Sequence, residues 1–235
     1  MTFEREATTY RGPIRESLIV AGGKPIRLVR PGDPDRLLDD PEVAALNARD
    51  DYMPYWAYLW PGSFLLADAI VRGNWPERTR TLELGCGLGL PGLVAVREGL
   101  AVEFTDYDRA PLAFVDRSVA SNNFDPNLVT SKVLDWRQPT EGRFDLILGA
   151  DITYERRLVP LVASIIAAKL GPDGVALISD PNRVASQGFG DAIRAVGLQY
   201  EATPAEAEAD DFGPVRGTIY RIWKPKEIEP RMEHG

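Results

Sequence analysis

From residue 79 onward, short apolar runs alternate with stretches of helical periodicity, a pattern that few architectures accept. Runs at 81–84, 101–105, 129–134, 144–149 and 174–179 read as strands. Segments 91–98, 110–122, 156–170 and 185–196 read as helices, the third of them amphipathic. Such alternation implies an α/β fold in which a parallel sheet is covered on both faces. Two late strands, 199–203 and 217–223, flank an acidic loop at 204–214 with no room for a helix between them. They are expected to pair as an antiparallel hairpin at one sheet edge.

The first 60 residues are richer in turn formers. Segments 14–20 and 24–29 flank Ala21-Gly22-Gly23 and predict a small β-hairpin. Pro31-Gly32-Asp33-Pro34 breaks the chain, and a helix is expected over 41–50. An aromatic run from Tyr52 then leads to Trp60-Pro61-Gly62, after which Ser63 is placed to cap a helix over 64–72. The expected organisation is an N-terminal extension (1–62) packed on an α/β domain (63–224), with a charged tail (225–235). No internal repeat is visible.

At 235 residues and 44% hydrophobic content the chain can bury a sizeable core. Its net charge of −8 argues against salt-driven binding to nucleic acid or anionic membrane, so neither partner is expected. A cationic ligand or partner suits that balance, and so does plain solubility. A single cysteine, Cys86, and a single histidine, His234, rule out an internal disulfide and a Cys/His zinc site, so no metal is expected. They also exclude Ser-His-Asp and Cys-His catalysis within the chain. The first ten residues lack the apolar core of a signal peptide, and no apolar run approaches membrane-spanning length. A soluble, cytoplasmic protein is the expectation.

The chemistry concentrates in Leu82-Glu83-Leu84-Gly85-Cys86-Gly87-Leu88-Gly89-Leu90-Pro91-Gly92, at the end of the first sheet strand. Gly85, Gly87 and Gly89 let the backbone turn sharply and approach a ligand closely. Fourteen residues beyond Gly92, at the end of the second strand, Asp106 is placed to accept both hydroxyls of a ribose. The pair predicts an adenosine-containing ligand beyond the carboxyl ends of the strands. Gly87-x-Gly89-x-x-Gly92 formally matches a dinucleotide fingerprint, a weak signal alone. Glu83 opposes that reading, because a pyrophosphate on the loop would be repelled, whereas the ammonium of S-adenosylmethionine would be attracted. A glycine-rich turn in an unrelated α/β protein is the bland alternative.

Glu83-Leu84-Gly85-Cys86-Gly87-x-Gly89, Asp106, Leu134-Asp135-Trp136 and the strand ending Gly149-Ala150-Asp151 resemble the motifs of class I, seven-β-strand methyltransferases. Trp60-Pro61-Gly62 and Asp151-Ile152-Thr153-Tyr154 resemble, more narrowly, the family 16 (DxxY) protein-lysine methyltransferases. Asp180-Pro181-Asn182-Arg183 is similar to the electron-transfer-flavoprotein β-subunit lysine methyltransferase branch, while the glycine loop is closer to other branches. The resemblance implies a Rossmann-like, mostly parallel sheet and S-adenosylmethionine as cofactor. It implies further that Gly85, Gly87 and Gly89 contact the methionine and ribose portions, with Glu83 and Ala150 beside them. Asp106 would bind the ribose, Asp135 and Trp136 would flank the adenine, and Trp60 would shape the cofactor pocket. Filling core is the lesser alternative for Trp136. Anchoring the N-terminal segment is the alternative for Trp60, a part that suits Tyr52, Tyr55, Trp56 and Tyr58 better. Cys86 reads as a small loop residue without a redox role.

Asp151 and Tyr154 are the candidate catalytic pair. In a turn their i, i+3 spacing would set both side chains on one face, projecting beyond the sheet edge beside the reactive methyl. Methyl transfer asks mainly for in-line positioning. A lysine acceptor must also arrive unprotonated, which at pH 7 costs about 4.6 kcal/mol. A carboxylate raises a neighbouring amine's pKa, whereas the sulfonium and desolvation lower it. Asp151 is therefore assigned to orienting the target nitrogen, with Tyr154 in support and the proton leaving through water. Capping a helix over 155–170 is its structural alternative. Asp180 and Arg183 lie at the same rim, as substrate contacts or as a Pro-containing turn. Glu201, Glu206, Glu208, Asp210 and Asp211 form an acidic face, solvated or available to a lysine-bearing partner. A protein lysine is the expected acceptor. A small-molecule amine, a cofactor-binding protein without catalysis, and a nucleotide-dependent oxidoreductase disfavoured by Glu83 are the alternatives.

Overall fold

A computed structural model describes residues 10–209 and 212–226 of the chain. Residues 1–9, Asp210, Asp211 and the tail from 227, His234 included, lie outside the described residues, and with them the expectations placed there.

Strands β1 (Ile14–Ala21) and β2 (Lys24–Pro31) form a separate antiparallel pair. Ala21 pairs with Lys24, so the turn is Gly22-Gly23 alone, both in the left-handed region at φ 58° and 71°. Two successive positive φ values match the twist of the flanking strands, and glycine reaches them without strain. The hairpin lies on α4 (Ala110–Ser121), where Val29 donates its N–H to Ser118 Oγ at 2.9 Å. Helix α1 (Pro41–Asp50) starts where Asp40 caps Glu42 N–H at 2.8 Å and Pro41 presets the first turn.

The remaining elements are α2 (Gly62–Arg72), β3 (Arg80–Leu84), α3 (Leu90–Arg97), β4 (Ala101–Asp106), then α4 and β5 (Val129–Val133). They continue with β6 (Phe144–Ala150), α5 (Val159–Lys169), β7 (Leu170–Asp180), α6 (Phe189–Ala195), β8 (Gln199–Ala209) and β9 (Gly213–Trp223). The seven-stranded sheet runs β5-β4-β3-β6-β7-β9-β8. Strands β3 to β7 are parallel, and β9 is antiparallel to both β7 and β8. The expected antiparallel edge is therefore present, with β9 inserted inside β8. Helices α2, α3 and α4 cover one face and α5 and α6 the other, each with its own apolar cluster. Strand order reverses between β3 and β6, which opens a crevice at their carboxyl ends.

Several boundaries differ from expectation. The acidic loop at 204–214 is largely strand: Ala205, Ala207 and Ala209 turn inward toward the core while Glu206 and Glu208 point to solvent. Alanine carries little β signal, so period two was hidden there. Helix α5 begins at Val159 rather than 156, at a Pro in its first turn, leaving residues 151–158 as an irregular loop. The expected helix 185–196 is split: a 3-10 turn ends at Ser186, and Gly188 at φ 90° precedes α6. Ser63 does not cap α2, since it lies inside the helix and another residue serves that end.

Candidate active site

Alternation along β3 sends Leu82 and Leu84 into the α5 side and Glu83 toward α3. There Glu83 is buried, and its Oε2 has no hydrogen-bond partner among the described residues. Burial pushes the carboxyl up to about 8, aided by the charge of Asp106 and opposed by the Gly92 N–H. A side chain at Gly92 would collide with that carboxylate and with Phe104. Gly92 thus serves packing against Glu83, a local reason for the third glycine of the dinucleotide-like pattern.

Gly85, Gly87 and Gly89 all have positive φ, at 57°, 51° and 74°. The bend is pinned by Cys86 N–H to Thr105 O at 2.8 Å and Gly89 N–H to Cys86 O at 2.7 Å. Asp106 ends β4 and receives Gly87 N–H on Oδ2 at 2.9 Å and Asp108 N–H on Oδ1 at 3.0 Å. Burial raises it to about 6 despite those donors. The Cys86 thiol is pushed well up by burial beside Asp106 and Glu83, which disfavours a thiolate.

Around this loop lies a cavity of about 880 Å³ lined by all the residues expected to hold the cofactor or act in catalysis: Trp60, Glu83, Gly85, Gly87, Gly89, Asp106, Asp135, Trp136, Ala150, Asp151 and Tyr154. Trp136 stands at the loop, since a Cβ on Gly85 would come within 3.2 Å of its ring. The Asp135 carboxylate holds Arg137 through two oxygens, at 2.6 Å and 2.9 Å, and Arg137 in turn donates to Tyr107 OH at 3.0 Å. Trp60 donates Nε1–H to Tyr55 O at 2.8 Å.

Asp151 is not a free carboxylate at the rim. It is 5% exposed, with its backbone at φ 56°. Its Oδ2 accepts the Gly62 N–H at 2.7 Å, and its Oδ1 accepts Arg183 Nε and Nη2, each at 2.8 Å. Asp151 therefore serves the buried first N–H of α2, a remote helix whose own turns offer it no acceptor, instead of capping the helix that follows it. Ser179 completes the junction by donating its hydroxyl to Gly62 O at 2.7 Å. A Cβ at Gly62 would sit 2.5 Å from Asp151 Oδ2, which explains the glycine after Trp60-Pro61. Burial raises the Asp151 carboxyl above the usual range, while Arg183 and the Gly62 N–H pull it back.

The shared outward projection expected of Asp151 and Tyr154 is met by Tyr154 alone, which is 38% exposed and edge-to-face on Tyr55 at 5.2 Å. Its hydroxyl is pushed up to about 12, chiefly by burial, so it stays protonated at neutral pH. Tyr52, Tyr55, Trp56 and Tyr58 all line the cavity as well as anchoring the segment: Trp56 is buried on Phe114, and Tyr52 and Tyr58 pack against the same core. Tyr52 donates to Asp108, a residue that sequence reasoning passed over although it stands two positions beyond Asp106. Asp180 is a turn residue, accepting Arg183 N–H at 2.9 Å. Arg183 stands over the Trp60 ring at 5.2 Å. Glu201, Glu206 and Glu208 lie on the edge strand β8, outside the cavity lining, and Glu206 pairs with Arg216. Among the described residues no group of three or more potential metal ligands occurs, and no helix is long and apolar enough to cross a membrane.

Residues 58–190 match the family model Methyltransf_16, lysine methyltransferase. EEF1A lysine methyltransferase 3 of Mus musculus is 26% identical over 182 residues, 76% of each chain. Protein N-lysine methyltransferase METTL21A of Mus musculus is 37% identical over 106 residues, 42% of this chain and 48% of that one, so the match spans about half of that relative. The electron transfer flavoprotein β-subunit lysine methyltransferase of Danio rerio is 26% identical over 179 residues, covering 72% and 66%. Among solved structures, a TehB-like SAM-dependent methyltransferase from Corynebacterium glutamicum superposes with a TM-score of 0.53 at 22% identity, covering 77% of this chain and 94% of that one. That last likeness is one of fold.

Proposed function

The chain belongs to the lysine methyltransferase family, and from that membership we propose that it methylates the side-chain nitrogen of a lysine in a protein substrate. Its cofactor is S-adenosylmethionine. The chemistry of the cavity fits this cofactor. A cationic sulfonium and ammonium would meet Glu83, whose buried Oε2 has no partner among the described residues, and the raised carboxyl of Asp106. A cation there would favour the ionised forms of both groups, whereas a pyrophosphate would oppose them.

We assign the loop Gly85, Gly87 and Gly89, with Glu83 and Ala150, to the methionine and ribose portions. Asp106 is assigned to the ribose, Asp135 and Trp136 to the adenine side, and Trp60 to shaping the cofactor pocket. When bound, the cofactor supplies an activated methyl: the nitrogen lone pair forms the new N–C bond, the C–S pair leaves with sulfur, and S-adenosylhomocysteine results. The chain's contribution is alignment and exclusion of water. Tyr154 and Tyr55 offer ring faces to a cationic side chain entering the cavity. Asp151, anchored through Gly62 and Arg183, orients the acceptor nitrogen, whose proton passes to solvent. Residues 63–224 form the catalytic unit in this reading, with the extension 1–62 walling the cavity through Tyr52 to Trp60.

The observation carrying the proposal is the junction of the acidic glycine-loop cavity with the Asp151–Tyr154 turn in one cleft. Isothermal titration with S-adenosylmethionine, S-adenosylhomocysteine and NAD tests the cofactor; binding of NAD alone would defeat it. Tritiated methyl transfer into lysate proteins, read by mass spectrometry, tests the acceptor. Label on lysine supports the reading, and label confined to small molecules redirects it to an amine substrate.

A further inference from the structure

We infer that Arg183 is a positioning residue that offsets the charge of Asp151, so that the incoming lysine meets a near-neutral ion pair instead of a bare carboxylate. This rests on the lysine-methyltransferase reading of the cavity.

Both oxygens of Asp151 are already committed, Oδ1 to the Arg183 guanidinium at 2.8 Å and Oδ2 to Gly62 N–H at 2.7 Å. Arg183 is itself held on two sides. Its backbone N–H is bound to Asp180 Oδ1 at 2.9 Å, and its guanidinium lies over Trp60 at 5.2 Å. It lines the cavity, so an acceptor nitrogen that reaches Asp151 also comes within the field of Arg183.

Among the described residues Arg183 is the cation paired with Asp151. From the end of β7, Asp180 adds negative charge felt by Asp151. From α2 comes only the Gly62 N–H. On the loop of Asp151 itself, Glu155 and Arg157 pair with each other. Tyr154 faces the cavity as a neutral ring beside Tyr55, and Asp106 lies in the same cavity.

A lone carboxylate next to an amine would raise its pKa and add to the cost of removing the proton. The guanidinium cancels much of that field, while Oδ2, which receives the Gly62 N–H alone among the described residues, keeps a second lone pair to fix direction. Deleting a positive charge strengthens proton binding at every neighbouring group, whether the proton rests on Asp151 or on the amine. The pair therefore separates orientation of the acceptor from retention of its proton.

The test compares wild type, Arg183→Met and Arg183→Lys in single-turnover methyl transfer from saturating S-adenosylmethionine into the lysate proteins that wild type labels. Rates are followed between pH 6 and 10. The rising limb for Arg183→Met is expected to move upward by roughly 1–3 pH units. Its deficit at pH 7 is then roughly tenfold or more and shrinks toward pH 10. Arg183→Lys, which keeps the charge, returns most of the shift. Titration calorimetry with S-adenosylmethionine is expected to give unchanged affinity in both variants, a readout separate from turnover and a check on folding. A deficit in Arg183→Met that is equal at every pH overturns the inference while the methyltransferase reading stands. Cofactor affinity falling in step with rate overturns it as well. Wild type that labels no protein overturns the reading of the acceptor, and this inference with it.

Discussion

The carboxylate of Asp151 accepts the backbone N–H of Gly62 at 2.7 Å across 89 residues of chain. One hydrogen bond thus ties the loop after β6 to the first residue of α2. The Trp60-Pro61-Gly62 and Asp151-Ile152-Thr153-Tyr154 segments, read separately in the sequence, are two halves of one joint. The joint orients the acidic group proposed to face the acceptor and places Trp60 beside it.

Gly62→Ala is expected to break this joint. The added methyl would lie 2.5 Å from Asp151 Oδ2 and 3.1 Å from Ser179 Oγ, with little space to yield. A loss of about 1–3 kcal/mol is expected from such overpacking, seen as a lower denaturant midpoint with an unchanged slope. Wild-type stability in this variant would show that the two segments are not in contact.

Asp151→Ala is expected to keep cofactor affinity and to lose turnover by on the order of a hundredfold, because the acceptor is no longer oriented. It also strips a partner from the start of α2, at a cost of about 1 kcal/mol. Calorimetry with S-adenosylmethionine and labelled methyl transfer measure the two effects. Normal turnover would remove Asp151 from the mechanism.

For Asp106→Ala the effect falls on binding. Its carboxylate organises Gly87 and Asp108 and is assigned to the ribose hydroxyls. Loss of a charged acceptor is expected to weaken S-adenosylmethionine binding by on the order of tenfold to a hundredfold. An unchanged dissociation constant would contradict the ribose assignment.

Proton linkage provides a fourth expectation. Glu83 and Asp106 are raised to about 8 and about 6, from ordinary values of 4.5 and 3.8. Groups raised in the folded state hold protons more tightly than in the unfolded chain, so their contribution to stability is full below the ordinary values. It is lost as pH rises through 6 and then 8. The ligand-free protein should therefore lose stability over that window, and a cationic ligand should restore it by favouring the ionised forms. The increase in Tm caused by S-adenosylmethionine is expected to be larger at pH 8.5 than at pH 5.5. Glu83→Gln should stabilise the ligand-free protein at pH 8.5 and weaken cofactor binding. Equal thermal shifts at both pH values would count against Glu83 as a partner of the cofactor's positive charge.

The strands β3, β4, β6 and β7 were legible because buried parallel strands are continuous apolar runs. The glycine loop was legible because three positive φ values in five residues leave few other residue types. The inward face of β8 was not, since Ala205, Ala207 and Ala209 are small enough to pass for loop. The Tyr52–Tyr58 aromatics read as anchors from the sequence because a large apolar ring looks alike in a core and in a cavity wall. The structural alternative for Asp151 was a cap on the helix after it, because local spacing cannot reveal a partner 89 residues away.

Read alone, the chain determines its sheet, the ligand-binding end of that sheet and the charge that end presents. These follow from periodicity and from backbone conformations that only certain residues tolerate. The state of the carboxylates was decided by tertiary structure. Packing against α3 left Glu83 with a buried oxygen that has no partner among the described residues, while α2 and the segment after β7 brought Gly62 and Arg183 onto Asp151. Burial and a neighbouring charge govern a carboxylate's chemistry, and both depend on distances in space that spacing along the chain does not set.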